Sequence, residues 1–91
     1  MPTRFDVEVV SPDGVVFAGK AEMVALRTPE GELAFLAGHT PTVGEVVGGE
    51  VRVHVGADDE RLLRVAAGFV EVTREKTVVI AREVVKEPAG R

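Results

Sequence analysis

The chain has 91 residues, 45% of them hydrophobic, and carries 11 Lys and Arg against 15 Asp and Glu for a formal net charge of −4. That length holds one domain, and its few cations are scattered, so nucleic acid is not expected as a partner. With no Cys there is no disulfide framework, thiolate metal site or cysteine nucleophile, and no apolar run approaches the roughly 20 residues of a membrane helix.

Valine dominates the apolar set, and β-branched side chains suit pleated sheets better than helices. Phe5, Val7 and Val9 alternate with Arg4, Asp6 and Glu8, the pattern of a half-buried first strand. Ser11-Pro12-Asp13-Gly14 is a turn in which Pro fixes one φ and Gly relieves another. Val15 to Phe17 and Lys20 to Arg27 follow as strands, with Gly19 expected as a bulge or kink. Gly31 to Leu36 and Thr42 to Val47 give two more. Gly48-Gly49 reads as a hairpin turn into Glu50 to Val55, the cleanest alternation in the chain. Gly56 to Glu60 is a polar hairpin loop. Beyond it, Arg61 to Ala67 and Phe69 to Thr73 are strands joined or kinked at Gly68, and Arg74-Glu75 turns the chain into Lys76 to Arg82. Turn signals every 8–12 residues or so indicate an all-β sandwich or barrel occupying residues 1–83. Pro88 and Gly90 disfavour any regular element in residues 84–91, which are expected to form a frayed tail.

Met23 to Leu26 and Val78 to Ala81 are apolar on both faces. An antiparallel sheet on one core needs a single apolar face, so these strands imply either a doubly covered core or a surface that another protein covers. Glu30 to Pro41 is the densest stretch. Glu32, Ala34 and Leu36 would share one strand face, with Leu33 and Phe35 on the other. Gly31 opens this strand and Gly38 to Pro41 closes it; loops held in this way are where a small β-domain carries function.

No catalytic residue, metal or cofactor is assigned. His54 lies on an outward strand face beside Arg52 and Glu50, where a solvated imidazole is the default. His39 sits in the glycine loop and could switch, ligate or bond a neighbour, but two histidines without carboxylate spacing do not make a metal site. Glu30 and Glu32 could do acid–base work only across a pocket that separates their pKa values, so an interface role is expected instead. Ser11 lacks a nucleophile-elbow context, and Asp58-Asp59-Glu60 lacks calcium-loop spacing.

Four segments in order carry a family resemblance over roughly residues 4 to 82. They are Val9-Val10-Ser11-Pro12 with Val16-Phe17 and Gly19, Glu30-Gly31-Glu32-Leu33 through Gly38-His39-Thr40-Pro41, Gly68 to Thr73, and Lys76 to Ala81. Together they resemble the N-terminal β-sandwich domain of the epsilon subunit of F-type ATP synthases. The resemblance implies a two-sheet antiparallel sandwich of about ten short strands. It also implies a non-catalytic central-stalk subunit that couples the ion-driven c-ring to the gamma shaft. The subunit would lie at the cytoplasmic face of a bacterial plasma membrane, associated with it only through the complex. One outer sheet face would lie against gamma.

Carried over by position, Glu32 with Glu30 and Gly31 matches the loop that meets the c-ring. Ser11, His39 and Gly44 match positions near gamma, and the loop of Gly38, Thr40, Pro41, Thr42 and Val43 joins those surfaces. Three departures stand out: Ala37 replaces the proline of Leu-Pro-Gly-His, Ala67-Gly68 replaces Gly-Gly, and Arg82 stands where an acidic residue is frequent. The sequence stops before the two C-terminal helices that in many members inhibit hydrolysis and in some bind ATP, so neither property is expected of this chain. The alternative reading is a free-standing β-sandwich binding module. It would need an aromatic-lined concavity, and the chain has no Trp or Tyr.

Overall fold

The alternation along the chain becomes ten strands in a computed structural model that describes residues 3–86. They are β1 (Phe5–Ser11), β2 (Gly14–Ala21), β3 (Met23–Thr28), β4 (Gly31–Phe35), β5 (Thr42–Val46), β6 (Gly49–Gly56), β7 (Asp59–Val65), β8 (Gly68–Val72), β9 (Lys76–Ala81) and β10 (Val84–Lys86). No helix occurs among the described residues. Two five-stranded sheets form, ordered β2-β1-β9-β8-β5 (the first sheet) and β10-β7-β6-β3-β4 (the second). All pairings are antiparallel except β1 with β9, which is parallel.

The inward phase of each strand builds the core. Val7 and Val9 of β1, Val70 and Val72 of β8 and Val79 of β9 face Val24, Leu26, Phe35, Val51, Val53 and Leu63 of the second sheet. Each such side chain stabilises the fold by about 1.5–3 kcal/mol through burial. Three turns are latched by a hydroxyl at, or one residue past, the end of the preceding strand. Ser11, Thr28 and Thr73 each donate to a carbonyl three residues on and accept a nearby backbone N–H. Such local bonds are the reason these residue types favour turns.

Successive strands run in opposite directions, so connections alternate between two ends of the sandwich. One end, the upper, carries the turns at 12–13, 29–30, 47–48, 66–67 and 82–83; the lower carries Glu22 and the turns at 36–41, 57–58 and 74–75.

Four expectations need correction. Gly48-Gly49 is not a hairpin turn: β5 lies in the first sheet and β6 in the second, and the chain crosses between layers there. Val46 and Val51 are thereby both buried in one core, and the Val47 N–H is satisfied by the Arg27 carbonyl at 3.0 Å. The expected strand from Lys20 to Arg27 is divided at Glu22, where the chain changes sheets and the Glu22 N–H bonds the His54 carbonyl at 2.7 Å. Gly19 pairs regularly with Val7, and the bulge lies opposite Val9 and Val10, where Val16 is the extra residue. Lastly, the expected frayed tail begins too early. Val84–Lys86 form β10, which extends the second sheet beside β7, with Val84 opposite Val65. Residues 87–91 of that tail lie outside the described residues.

Candidate functional site

The acidic turn between β3 and β4 is the most tightly specified loop on the upper end. Thr28 is 6% exposed, and its hydroxyl donates to the Gly31 carbonyl at 2.9 Å while accepting the Glu30 N–H at 3.2 Å. Gly31 takes φ +127°, a value that a side chain would strain. The turn therefore holds Glu30, Gly31 and Glu32 together at one edge of the second sheet. Their carboxylates differ in what they touch. Glu32 bonds the Arg52 guanidinium at 2.7 Å on the outer face, whereas the Glu30 carboxylate has no partner among the described residues. The two acids do not share a pocket: the groove beside Glu32 is lined by Arg27, Gly48, Glu50, Arg52 and Arg64, without Glu30.

The glycine loop lies at the opposite end. Its backbone is tied to the turn between β8 and β9 by the Gly38 N–H donating to the Arg74 carbonyl at 3.0 Å. The His39 ring meets buried Phe35 edge to face, with centroids 4.9 Å apart and planes at 82°. Nδ1 lies 2.7 Å from the Thr40 carbonyl, an atom that only accepts, so Nδ1 carries the proton there. The Thr42 hydroxyl donates to the same carbonyl at 2.8 Å. His39 is thus bonded within its own loop. Ala37, which replaces the family's proline, packs against the core.

The predicted residues are therefore distributed. Glu30, Gly31 and Glu32 share the upper end with Ser11, whereas Gly38, His39, Thr40, Pro41 and Thr42 lie at the lower end. Val43 and Gly44 are in β5, an edge strand of the first sheet, with Gly44 opposite Val70.

The outer faces of the two sheets differ in chemistry. The second sheet presents polar side chains, several of them mutually paired: Glu32 with Arg52, His54 with Glu60 at 2.8 Å, and Arg64 with Glu50 at 3.9 Å. Of the outward residues in the doubly apolar stretch of β3, Met23 is half-buried and Ala25 is small and only 5% exposed beneath these neighbours. The first sheet instead exposes a cross-strand row of Val15, Val10, Ile80 and Phe69, with Glu45 at its end and Val43 in the next row. Doubly apolar β9 thus uses Val79 and Ala81 for the core and leaves Val78 and Ile80 outside.

Four residues that sequence reasoning passed over matter here: Thr28, Arg52, Phe69 and Asp59. Thr-Pro-Glu-Gly carried a turn signal, and Phe69 stands in the polar phase of its strand, but nothing local pairs Arg52 with a residue 20 positions away. At the lower end Arg61 grips Asp59 through Nε at 2.9 Å and Nη2 at 3.3 Å and lies 5.9 Å from the Phe17 ring centroid. The hydrogen bond from Arg61 holds the Asp59 carboxyl below the usual aspartate range, and the same pair raises Arg61.

Fold and surfaces together define a small two-sheet β-sandwich with no group of three or more metal-ligating side chains among the described residues. The sequence profile described as ATP synthase, Delta/Epsilon chain, beta-sandwich domain matches residues 4–87. The chain is 40% identical over 81 residues to the sodium ion specific ATP synthase epsilon chain of Propionigenium modestum, covering 89% of this chain and 58% of that one. It is 35% identical over 83 residues to the ATP synthase epsilon chain of Dichelobacter nodosus, with 91% and 58% covered. A chain in the Euglena gracilis mitochondrial ATP synthase structure, which comprises OSCP, F1 and c-ring, has the same fold. It superposes with a TM-score of 0.86 at 23% identity, over 94% of this chain and 55% of that one. The chain belongs to the delta/epsilon β-sandwich family of ATP synthase subunits. It spans less than two thirds of the length of these relatives.

Proposed function

We propose that this β-sandwich is the rotor-coupling part of the central stalk of an F-type ATP synthase, catalysing nothing itself and linking the ion-driven c-ring to the gamma subunit. The observation that carries this reading is the unbroken family match over residues 4–87, which leaves almost none of the chain outside it. On this reading Glu30, Gly31 and Glu32 meet the polar loops of the c-ring, and Ser11, His39 and Gly44 with the 38–43 loop belong to the gamma side. The domain then sits at the cytoplasmic face of the membrane, held there only by the complex. Inhibition of hydrolysis and ATP binding, which the resemblance assigns to helices, are not functions of this domain.

One feature of the fold supports the assignment. The acidic turn is held from within by the Thr28 hydroxyl and the Arg52 guanidinium, as a contact that sets register requires. An exposed ion pair contributes only about 0–1 kcal/mol, so the hold on the rotor must come mainly from a broad interface, typically about 1,600 Å² in total.

Co-purification with the gamma subunit of the same synthase tests the reading; a chain that remains alone beside gamma refutes it. Glu32→Lys separates contact from folding. It should cost about 1 kcal/mol of stability or less, the value of one exposed pair, and yet weaken proton- or sodium-driven ATP synthesis in the reconstituted enzyme. Unaltered ion-driven synthesis would remove the acidic turn from the c-ring contact.

A further inference from the structure

We infer that the groove at the upper end of the second sheet's outer face, framed by Arg27, Arg52 and Arg64, is a binding site for a phosphate group, free or carried as an ester. The site stands on its own geometry; the rotor reading enters only in naming a source for the phosphate.

Three neighbouring strands bring the guanidinium groups together, each from the outward phase of its strand. Arg27 of β3 lies opposite Glu32 of β4, Ala25 two residues earlier lies opposite Arg52 of β6, and Glu50 of β6 lies opposite Arg64 of β7. Gly48 and Gly49 line the same groove without side chains, and a Cβ at Gly49 would meet nothing within 4 Å, so the space over that backbone is open. The groove measures about 460 Å³, within the size range of small-molecule sites.

Its cations outnumber its acids and are not used up by them. Three guanidinium groups line it against the two carboxylates of Glu32 and Glu50. Glu32 faces Arg27 in register but bonds Arg52 instead, through Nη2 alone at 2.7 Å. Arg27 is thereby left without a partner among the described residues, and Arg52 keeps further N–H groups to donate. The Glu32 bond also holds the Arg52 side chain in place, which lowers the entropy lost when an anion is gripped. Glu50 stands 3.9 Å from Arg64, too far for a hydrogen bond. Planar guanidinium forks match pairs of phosphate oxygens. Two forks arriving from adjacent strands suit a tetrahedral anion, which offers acceptors in more than one plane, better than a flat carboxylate.

The formal charge of −4 does not oppose this. Even the narrowest dimension of the sandwich is 24 Å, against a Debye length of about 8 Å at physiological ionic strength, so acids on the outer face of the first sheet are screened from the groove. The groove opens beside the acidic turn. On the rotor reading that end faces the c-ring and so the membrane, which makes a phospholipid headgroup one source and a soluble phosphate the other.

Two measurements on the full chain test the site: an amide NMR titration with inorganic phosphate at fixed ionic strength, and co-sedimentation with phosphatidylcholine vesicles containing phosphatidylglycerol. Wild type should bind phosphate with a dissociation constant of about 1 mM or below, with shifts centred on Gly48, Gly49 and Arg52. Arg27→Gln and Arg52→Gln should each weaken binding about tenfold, with the melting midpoint nearly unchanged because both side chains are outside the core. Arg82→Gln, at the same end but outside the groove, should bind as wild type does. Vesicle binding that the two groove variants lose supports the site with a lipid headgroup as its source; phosphate binding without vesicle binding supports it with a soluble one. Shifts no larger than sodium chloride gives at equal ionic strength overturn the site. So does binding that both groove variants retain, or that Arg82→Gln weakens as much as they do. A chain that co-purifies with gamma yet ignores phosphate and vesicles loses this site and keeps the rotor reading.

Discussion

Adding one methyl group at Gly68 should destabilise this domain more than removing two from its core. Gly68 begins β8 where it packs against β9, and it is buried. A Cβ there would overlap the Ile80 carbonyl oxygen and stand 2.8 Å from the Ala81 Cα. Both obstacles are backbone, so no side chain can swing aside. The β8 and β9 backbones would have to separate where Gly68 faces Ala81, forfeiting about 1 kcal/mol of ladder hydrogen bonding and about 1–3 kcal/mol of packing around Val79 and Val70. Gly68→Ala should therefore cost about 3 kcal/mol, a large share of the roughly 5–14 kcal/mol available to a domain of this size. At about 4–8 °C per kcal/mol the melting midpoint should fall by about 12–24 °C in circular dichroism melts. Gly44→Ala is the control, since a Cβ there meets only Val70 Cγ1 at an ordinary 3.7 Å, and it should shift stability by less than about 1 kcal/mol. A Gly68→Ala protein that melts within about 4 °C of wild type would refute the close-approach argument.

Val53→Ala removes two methyl groups from a fully buried site and should lower the urea-unfolding free energy by about 1–3 kcal/mol; a smaller loss would mean the two layers relax into the space. Thr28→Val keeps the shape but leaves the Glu30 N–H and Gly31 carbonyl without their hydroxyl partner, at a cost of about 1–2 kcal/mol, while Thr28→Ser should retain most of the stability in the same assay. The Asp59 carboxyl should titrate below the usual aspartate value in a carbon-13 NMR titration and return toward it in Arg61→Gln. Because the folded-state value is depressed, the pair's contribution is present above the unfolded value of about 3.9 and is lost as pH falls through the folded one. Equal midpoints in the two proteins would contradict the assigned cause.

Local turn chemistry was legible in the sequence, and layer membership was not. Ser11 to Gly14, Gly56 to Glu60 and Arg74-Glu75 all join strands that pair with each other, so their turn residues report the pairing directly. Gly48-Gly49 has the composition of a hairpin, yet it joins strands in different sheets. A dipeptide specifies a bend, whereas the choice between pairing and crossing depends on the Val47 bond to Arg27 and on Val46 and Val51 sharing one core. The parallel pair of β1 with β9 is likewise set by partners about 70 residues apart. At the other extreme, Pro88 and Gly90 disfavour structure only near themselves. Val84–Lys86 needed just an open edge on β7, and the Ala66 N–H bond to the Glu83 carbonyl at 2.9 Å holds the corner that brings them there. The site was half legible for the same reason. Glu30, Gly31 and Glu32 are consecutive and stay together, whereas Ser11 and His39 fall at opposite ends of the sandwich.

The departures from the family pattern follow the same physics. Of the Gly-Gly pair that usually precedes the phenylalanine, the chain keeps the second glycine, where a Cβ would strike backbone, and replaces the first by Ala67, which is exposed. Ala37 gives up a fixed φ, but the loop remains tethered by the Gly38 bond to Arg74 and by the two bonds converging on the Thr40 carbonyl. On the rotor reading this stiffness has a mechanical consequence. The acidic turn belongs to the second sheet, whereas Ser11 and Gly44 of the gamma side belong to the first, so force passing between them must cross the packed layer instead of running along one ladder. Close-packed interiors deform little and transmit strain. Loosening Val53 should then reduce coupling even at temperatures where the domain remains folded, whereas an equally destabilising change in the hairpin between β6 and β7 should not.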